Sequence, residues 1–104
     1  ASINTGMPKL SRHKDRCATG HLCTPSAPVN TTQYTVFANG KEVLRKGDPV
    51  QPHTIKEGED CVNHGAEVNL GSTTVFVDGI GVARRGDSTD QGSMTGASED
   101  VVAG

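Results

Sequence analysis

Apolar and polar residues alternate along two stretches of the chain, and each alternation ends at a residue pair that favours a tight turn. The first stretch is TVFANGKEVLRKGD, residues 35–48, and the second is TVFVDGIGVARRGD, residues 74–87. Alternation with a period of two is typical of a strand with one buried face. The Asn-Gly pair in the first stretch and the Asp-Gly pair in the second favour a two-residue type I′ turn, because both central residues of that turn need a positive φ. Each stretch therefore predicts a β-hairpin followed by a Gly-Asp turn.

The two stretches are copies of one unit, displaced from each other by 39 residues. Eight of the fourteen aligned residues are identical, including the Arg and the Gly-Asp that close each unit. A weaker third copy is divided between the chain ends: Arg12 and Asp15 keep the Arg-x-x-Asp spacing, and Asp100–Gly104 has the pattern of a final strand. Internal repeats should be identified before other patterns, since missing them misassigns the whole fold. The chain is therefore predicted to have a mainly β fold of circularly shifted, pseudo-threefold hairpin repeats.

The composition indicates one small domain with a modest apolar core. Apolar residues make up 33% of the 104 residues, and 13 residues are glycine. Such a chain needs stabilisation from backbone pairing, from a metal or from a partner. We assign residues 7–104 to a single domain and interpret residues 1–6 as a hypothetical remnant of cloning.

Charge and cysteine content exclude several classes of protein. A net charge of -2 predicts no general attraction to nucleic acid or to anionic lipid. No apolar run approaches the roughly 20 residues that cross a bilayer, and the N-terminal segment lacks the apolar core of a signal peptide. Three cysteines, an odd number in a chain without an export signal, argue against a disulfide framework and favour thiols or metal ligands.

Ligand-type side chains gather in the segments that follow each Arg-x-x-Asp. His21, His53 and His64 lie in these segments, and repeat symmetry is expected to bring them to one end of the molecule. Neutral imidazole suits Zn²⁺ and similar ions, and a bound metal supplies folding free energy that a small core lacks. The sequence therefore predicts a metal site at these three histidines. His13 lies before its Asp and is expected to be solvent-exposed.

The spacing alone leaves the fourth ligand open. Cys61 makes a Cys-x-x-His pair with His64, and Asp90 can supply a carboxylate oxygen, whereas Gln91 is a poor ligand for zinc. The other cysteines, each of which can instead be a small buried residue, are Cys17 and Cys23.

The motifs, and the order in which they follow one another along the chain, resemble those of the PAAR-repeat proteins, which form the sharp tips of contractile injection machines. The resemblance rests on the paired hairpins followed by R-K/R-G-D, on DRCATGH near the start and on NHG before the second hairpin, and it covers nearly the whole chain from Met7. The segment GHLCTPSAP is most similar to phage-type members. The resemblance implies a small cone with a metal, zinc or iron, bound near its vertex. It also implies a base that docks on a trimeric β-helical spike, one tip per trimer.

The resemblance further implies a ligand set of three histidines and one cysteine. His21, His53 and His64 fall on the three histidine positions. Gln91 falls on the cysteine position with Asp90 beside it, so the sequence departs from the family pattern there. Asp90 is the first expected replacement, and the second is Cys61.

The function that the resemblance implies is mechanical rather than enzymatic. The protein would cap a VgrG-like or phage central spike, touch a target membrane transiently, and act at a virion tail tip or secretion spike tip after synthesis in the bacterial cytoplasm. One alternative is a small metalloenzyme, because three histidines and a water also form a catalytic zinc site. Glu67 and Asp60 are then the candidate bases, although a solvated carboxylate is the expected state of each. A second alternative is a free-standing β-repeat scaffold or adhesion module.

Overall fold

The described part of the chain is built from short antiparallel strands. The computed structural model describes residues 7–104, and these contain no helix that could cross a membrane. The strands are β1 Arg16–Ala18, β2 Ser26–Pro28, β3 Phe37–Ala38, β4 Lys41–Glu42, β5 Pro49–Glu57, β6 Asp60–Glu67, β7 Phe76–Val77, β8 Ile80–Gly81, β9 Ser88–Thr89 and β10 Gly92–Met94. They form one four-stranded sheet, in the order β2-β1-β10-β9, and the three two-stranded sheets β3-β4, β5-β6 and β7-β8.

The two predicted hairpins are β3–β4 and β7–β8, and their turns have the predicted backbone. Asn39 and Gly40 have φ values of 55° and 77°, and Asp78 and Gly79 have φ values of 52° and 78°. Positive φ at both central residues defines the type I′ turn, whose twist matches that of the flanking strands. The hairpin prediction is therefore confirmed at both repeats.

The third hairpin is assembled from the two ends of the chain. Lys9 and Val102 form an antiparallel bridge, and the Leu10 N–H donates to the Val101 carbonyl at 2.9 Å. The equivalent bonds in the continuous hairpins run from Val43 to Val36 and from Val82 to Val75. The circularly shifted, threefold organisation is therefore confirmed.

A closed ring of three backbone hydrogen bonds joins the three repeats. Ser11 N–H donates to the Ala83 carbonyl at 2.9 Å, Ala83 N–H to Leu44 at 2.8 Å, and Leu44 N–H to Ser11 at 3.0 Å. All three residues are fully buried. Buried backbone groups need partners, and in this ring each repeat supplies one donor and one acceptor to its neighbours. The ring fixes the three hairpins around a common centre.

Directly after the ring, each repeat makes the same turn around an aspartate. Asp15, Asp48 and Asp87 each accept, through a carboxylate oxygen, the backbone N–H of the Arg three residues earlier, at 2.7–2.8 Å. This local hydrogen bond is the reason that the Arg-x-x-Asp spacing recurs in the sequence.

After each of these turns the chain leaves the ring and comes back to it. The returning residues Val29, Val68 and Met94 donate their N–H groups to the carbonyls of Asp15, Asp48 and Asp87, respectively. The three excursions differ greatly in length and comprise residues 16–28, 49–67 and 88–93. The threefold symmetry therefore ends at the turns.

The apolar core consists of two separate clusters. The first, which we call the hairpin layer, is enclosed by residues of the three hairpins: Leu10, Ala38, Val43, Val77, Val82 and Ala103. The second, which we call the vertex layer, is formed by ring residues and the excursions: Cys17, Ala27, Val29, Leu44, Val50, Val68, Ala83 and Met94. Both are small, in agreement with the low apolar content.

The longest excursion is a regular hairpin instead of an irregular loop. β5 and β6 pair His53 with His64, and the pairing continues outward for four more positions, to Glu57 opposite Asp60. The strands are interrupted once, by an irregularity between Val50 and His53. The molecule is correspondingly elongated, with extents of 49 × 32 × 22 Å.

The Asp turns generate a prediction about backbone strain. Lys14 has a φ of 71° where the other two turns have Gly47 at 89° and Gly86 at 90°. A residue other than glycine in this region costs about 1–2 kcal/mol, which is partly offset because glycine loses more entropy on folding. We expect Lys14→Gly to raise the free energy of unfolding by about 0.5 kcal/mol, measured by urea denaturation.

The matched controls are Gly47→Ala and Gly86→Ala. A Cβ atom at either position meets nothing within 4 Å, so only the backbone conformation is strained. We expect each to lower the free energy of unfolding by about 1 kcal/mol. Destabilisation by Lys14→Gly would contradict the equivalence of the three turns.

Candidate metal centre

Four side chains from the three excursions converge at one point. They are His21, His53, His64 and Asp90, and one potential ligand atom of each lies within 4.8 Å of all the others. Three imidazoles and one carboxylate form a donor set that suits Zn²⁺ and other first-row divalent metals.

Each excursion supplies its ligands from a different kind of element. His21 lies in the loop between β1 and β2, which we call the His21 loop (residues 19–25). His53 and His64 are opposite each other across β5 and β6, so they share one face of that hairpin. Asp90 occupies the tight turn between β9 and β10, at a φ of 57°. The candidate metal centre is therefore the place where three unequal excursions meet.

The donor atoms have the spacing of a tetrahedral site. The Nε2 atoms of His21, His53 and His64 lie 3.0, 2.7 and 3.2 Å from the carboxylate oxygens of Asp90. Zn–N and Zn–O bonds of about 2.0–2.1 Å at the tetrahedral angle separate two ligand atoms by about 3.3 Å. The three nitrogen–oxygen distances lie near this separation, so the four residues are candidates for ligands of one small ion.

The tautomer of His53 also fits a metal ligand. Its Nδ1 lies 3.0 Å from the carbonyl oxygen of Gln51, which can only accept a hydrogen bond. Nδ1 therefore carries a proton, and Nε2 faces the carboxylate of Asp90, to which it can donate a hydrogen bond only when it carries a second proton. Two lone pairs at 2.7 Å repel each other unless a cation or a second proton lies between them. A backbone carbonyl that orients the ring in this way is the usual outer-shell partner of a metal-bound histidine.

Burial shields the site from water. The side chains of Asp90 and His53 are 3% and 2% exposed, whereas that of His64 is 28% exposed. Burial by itself raises the pKa of Asp90, but the hydrogen bonds with His21, His64 and His53 outweigh it and hold that pKa below its usual value. The carboxyl group is thus ionised, as a metal ligand must be.

Close backbone packing holds the turn of Asp90 in place. The Asn69 side-chain amide donates to the carbonyl of Asp90 at 2.9 Å, and the N–H of Gln91 donates to the carbonyl of Thr19 at 3.1 Å. A Cβ atom at Gly92 would lie 1.9 Å from the carbonyl oxygen of Ala18, so only glycine fits there. The shortest excursion is thereby pressed against the strand that leads into the His21 loop.

Of the predicted ligands, Cys61 lies outside the group of four converging residues. It forms a disulfide with Cys23, so it has no thiolate to offer a metal. The Cys-x-x-His spacing was misleading because Cys61 and His64 lie on a strand, where residues three apart point to opposite faces. The expectation of free thiols is wrong for these two cysteines, and among the described cysteines only the buried Cys17 is free.

Other candidates also lie outside the group of four. Gln91 is exposed beside Asp90, and the two candidate bases, Glu67 and Asp60, are exposed as well. His13, which was expected to be exposed, is half-buried, and its Nδ1 accepts the N–H of Thr31 at 3.0 Å. Adjacent residues in a turn differ in direction, so spacing could not separate Asp90 from Gln91.

Replacement of the carboxylate tests the ligand set. We expect Asp90→Ala to weaken metal retention at least about tenfold, since even outer-shell replacements cost 10–100-fold. Retention is measured by elemental analysis after gel filtration against a chelator. The matched control is Gln91→Ala, which changes the exposed neighbour and should retain metal like the wild type. Equal retention by both variants would remove Asp90 from the site.

Acidification of the metal-free protein tests the electrostatics of Asp90. Its pKa is lowered from the ordinary value of 3.8, so its carboxylate stabilises the folded chain fully above that value and progressively less as the pH falls through the folded pKa. The difference in unfolding free energy between the wild type and Asp90→Asn should therefore shrink from pH 5 to about pH 2. Urea denaturation at both pH values measures it, and an unchanged difference would contradict the assigned interaction.

The region of the chain that matches a known family includes both continuous hairpins and all four residues of the candidate site. The family model of the PAAR motif matches residues 19–92, which is well over half of the chain and includes all four converging residues. No curated protein matches the chain. The match and the confirmed repeat architecture agree with each other, and the chain belongs to the PAAR-motif family.

Proposed function

We propose that this protein caps the trimeric β-helical spike of a contractile injection machine and provides its sharp, metal-stabilised end. Membership of the PAAR-motif family implies a spike-tip role. The observation that carries the proposal for this chain is the set of three equivalent hairpins around the hydrogen-bonded ring. A trimer presents three identical surfaces, and a pseudo-threefold protein can match them with one copy per trimer.

The exposed apolar residues of the hairpins support a docking surface. Phe37 and Phe76 occupy equivalent positions of the first two repeats and are 55% and 54% exposed. Val36 and Val75 precede them and are 41% and 38% exposed. Large apolar side chains that recur in exposed positions indicate a protein contact, and their recurrence at equivalent positions of two repeats fits a partner with repeated contact surfaces.

The metal has a structural role in this proposal. Four protein donors within mutual reach are characteristic of a closed structural site, whereas a catalytic zinc site keeps one position for water. The ion joins excursions that share little apolar core, and its binding free energy stabilises the folded state. His21, His53, His64 and Asp90 would hold the ion, which we propose to be Zn²⁺ ahead of iron.

The closed ligand set favours a mechanical function over a metalloenzyme. Glu67 and Asp60, the candidate bases, are exposed and lie outside the converging group. Sheath contraction would supply the force, and the tip would transmit it to a target membrane. Because the GHLCTPSAP segment is similar to that of phage-type members, we propose that the chain is the tip of a virion tail. The alternative machine of the same class is a secretion-system spike.

Reconstitution with the cognate spike tests the proposal. We expect one copy of the chain to bind one trimer of the C-terminal β-helix, measured by light scattering coupled to size-exclusion chromatography. The double variant Phe37→Asp/Phe76→Asp should weaken binding at least about tenfold, because each Asp replaces apolar contact area with a desolvated charge. The matched control is Leu22→Asp, since Leu22 is 87% exposed but lies in the His21 loop. Absence of a one-to-three complex would favour the free-standing scaffold.

A further inference from the structure

We propose that Cys23 and Cys61 form a reversible thiol–disulfide site that fastens the His21 loop to the β5–β6 hairpin. Oxidation of this site would set how firmly the metal centre keeps its ion. The link to the ion rests on the proposed metal site, whereas the fastening itself does not.

Few contacts join the His21 loop to the β5–β6 hairpin. The hydroxyl oxygens of Thr24, in this loop, and Thr54, in β5, lie 3.0 Å apart. The backbone N–H of Thr54 also donates a hydrogen bond to the Thr24 hydroxyl oxygen at 3.2 Å. A disulfide joins Cys23 to Cys61 of β6, and the backbone of Cys61 is paired with that of β5. The disulfide is therefore the one covalent link between this loop and the hairpin, and it lies two residues from His21.

The disulfide and the metal hold different faces of the same hairpin. Along β6 the burial alternates, with Val62 and His64 half-buried and Cys61 and Asn63 exposed. Neighbouring residues of a strand point to opposite faces, so His64 faces the ion while Cys61 faces the loop. His21 then reaches the carboxylate of Asp90 from a loop that is anchored on the other face. The disulfide and the proposed metal are therefore on different faces of the hairpin, but both restrain the His21 loop.

The disulfide between Cys23 and Cys61 is accessible to thiol–disulfide exchange, and the remaining cysteine is too buried to take part in it. Cys61 is exposed and Cys23 is half-buried, whereas Cys17 is 0% exposed in the vertex layer. Glutathione disulfide can oxidise the pair by two exchange steps: two thiols of the protein lose two electrons and two protons, one S–S bond forms, and two molecules of glutathione thiol are released. A dithiol reverses the reaction by two exchange steps and is itself oxidised to a cyclic disulfide. A phosphine reverses it by giving two electrons to the S–S bond, and with one water molecule it becomes the phosphine oxide while two thiols form.

Closure of the disulfide preorganises the metal centre. The bridge spans 38 residues and limits the conformations of the unfolded chain. It also keeps the His21 loop against β5–β6 when no ion is bound, so that less ordering remains for the ion to impose. In a reducing compartment the ion would add to the Thr24–Thr54 contacts alone in holding the loop, and in an oxidising one the disulfide would hold it as well.

The first experiment uses the metal-free protein, so that its outcome does not depend on metal binding. Glutathione disulfide should remove two thiols per chain, detected by mass spectrometry after alkylation, and the oxidised form should unfold roughly 10 °C above the phosphine-reduced form. The variant Cys23→Ser/Cys61→Ser should show no redox-dependent shift. Cys17→Ala is the matched control and should keep the full shift. Alkylation of the unfolded chain should leave one thiol, that of Cys17, after oxidation. Three alkylatable thiols after oxidation, or equal unfolding temperatures, would overturn the proposal.

The second experiment measures the rate at which the Zn²⁺-loaded protein loses its ion to a chromogenic chelator. We expect reduction by a phosphine to accelerate the loss about tenfold, a change of about 1.4 kcal/mol in activation free energy, and the double Ser variant to lose Zn²⁺ at the reduced rate under both conditions. Equal rates for the oxidised and reduced forms would overturn the link to the ion. Failure of the wild type to bind any Zn²⁺ would refute the proposed site instead, while the metal-free unfolding shift would still decide the fastening.

Discussion

The ring of hydrogen bonds among Ser11, Leu44 and Ala83 is the constraint on which the rest of the structure depends. It is fully buried, and each repeat completes the backbone pairing of the next. Because the ring closes only when all three repeats are present, the split third hairpin must bring the two chain ends together. The three hairpins and the three Asp turns inherit their threefold arrangement from it.

The proposed metal centre lies where this symmetry is broken. The three excursions leave equivalent turns but differ in length, so they can supply different ligands to one point. The long β5–β6 hairpin brings two histidines, the His21 loop brings one, and the short β9–β10 turn brings the carboxylate of Asp90. A pseudo-threefold scaffold therefore combines a symmetric face, suited to a trimer, with an asymmetric centre, suited to a single ion. Neither apolar layer is large, and metal binding is an economical way to join segments that share few core contacts.

The residues that the sequence could and could not identify differ in a physical way. Repeats and turn chemistry act through near neighbours in the chain, so the hairpins at Asn39-Gly40 and Asp78-Gly79 and the Arg-x-x-Asp turns were predictable. The histidines were predictable as a group because each follows such a turn. The position of Cys61 was not predictable, because the Cys-x-x-His spacing does not reveal the secondary structure, and only a strand places Cys61 and His64 on opposite faces. The partnership of Cys23 with Cys61 joins residues 38 positions apart and has no local signal.

The sequence by itself determined the mainly β class, the circularly shifted threefold repeat, the family and the three histidines that gather after the turns, since each of these is written in local patterns that repeat. Only the tertiary structure decided that the three repeats close through a backbone ring, that Asp90 rather than its neighbour Gln91 meets the imidazoles, and that two cysteines fasten the His21 loop. These features depend on which face of a strand or turn a side chain leaves and on how far each excursion reaches. Both are set by contacts between segments that are remote in the chain.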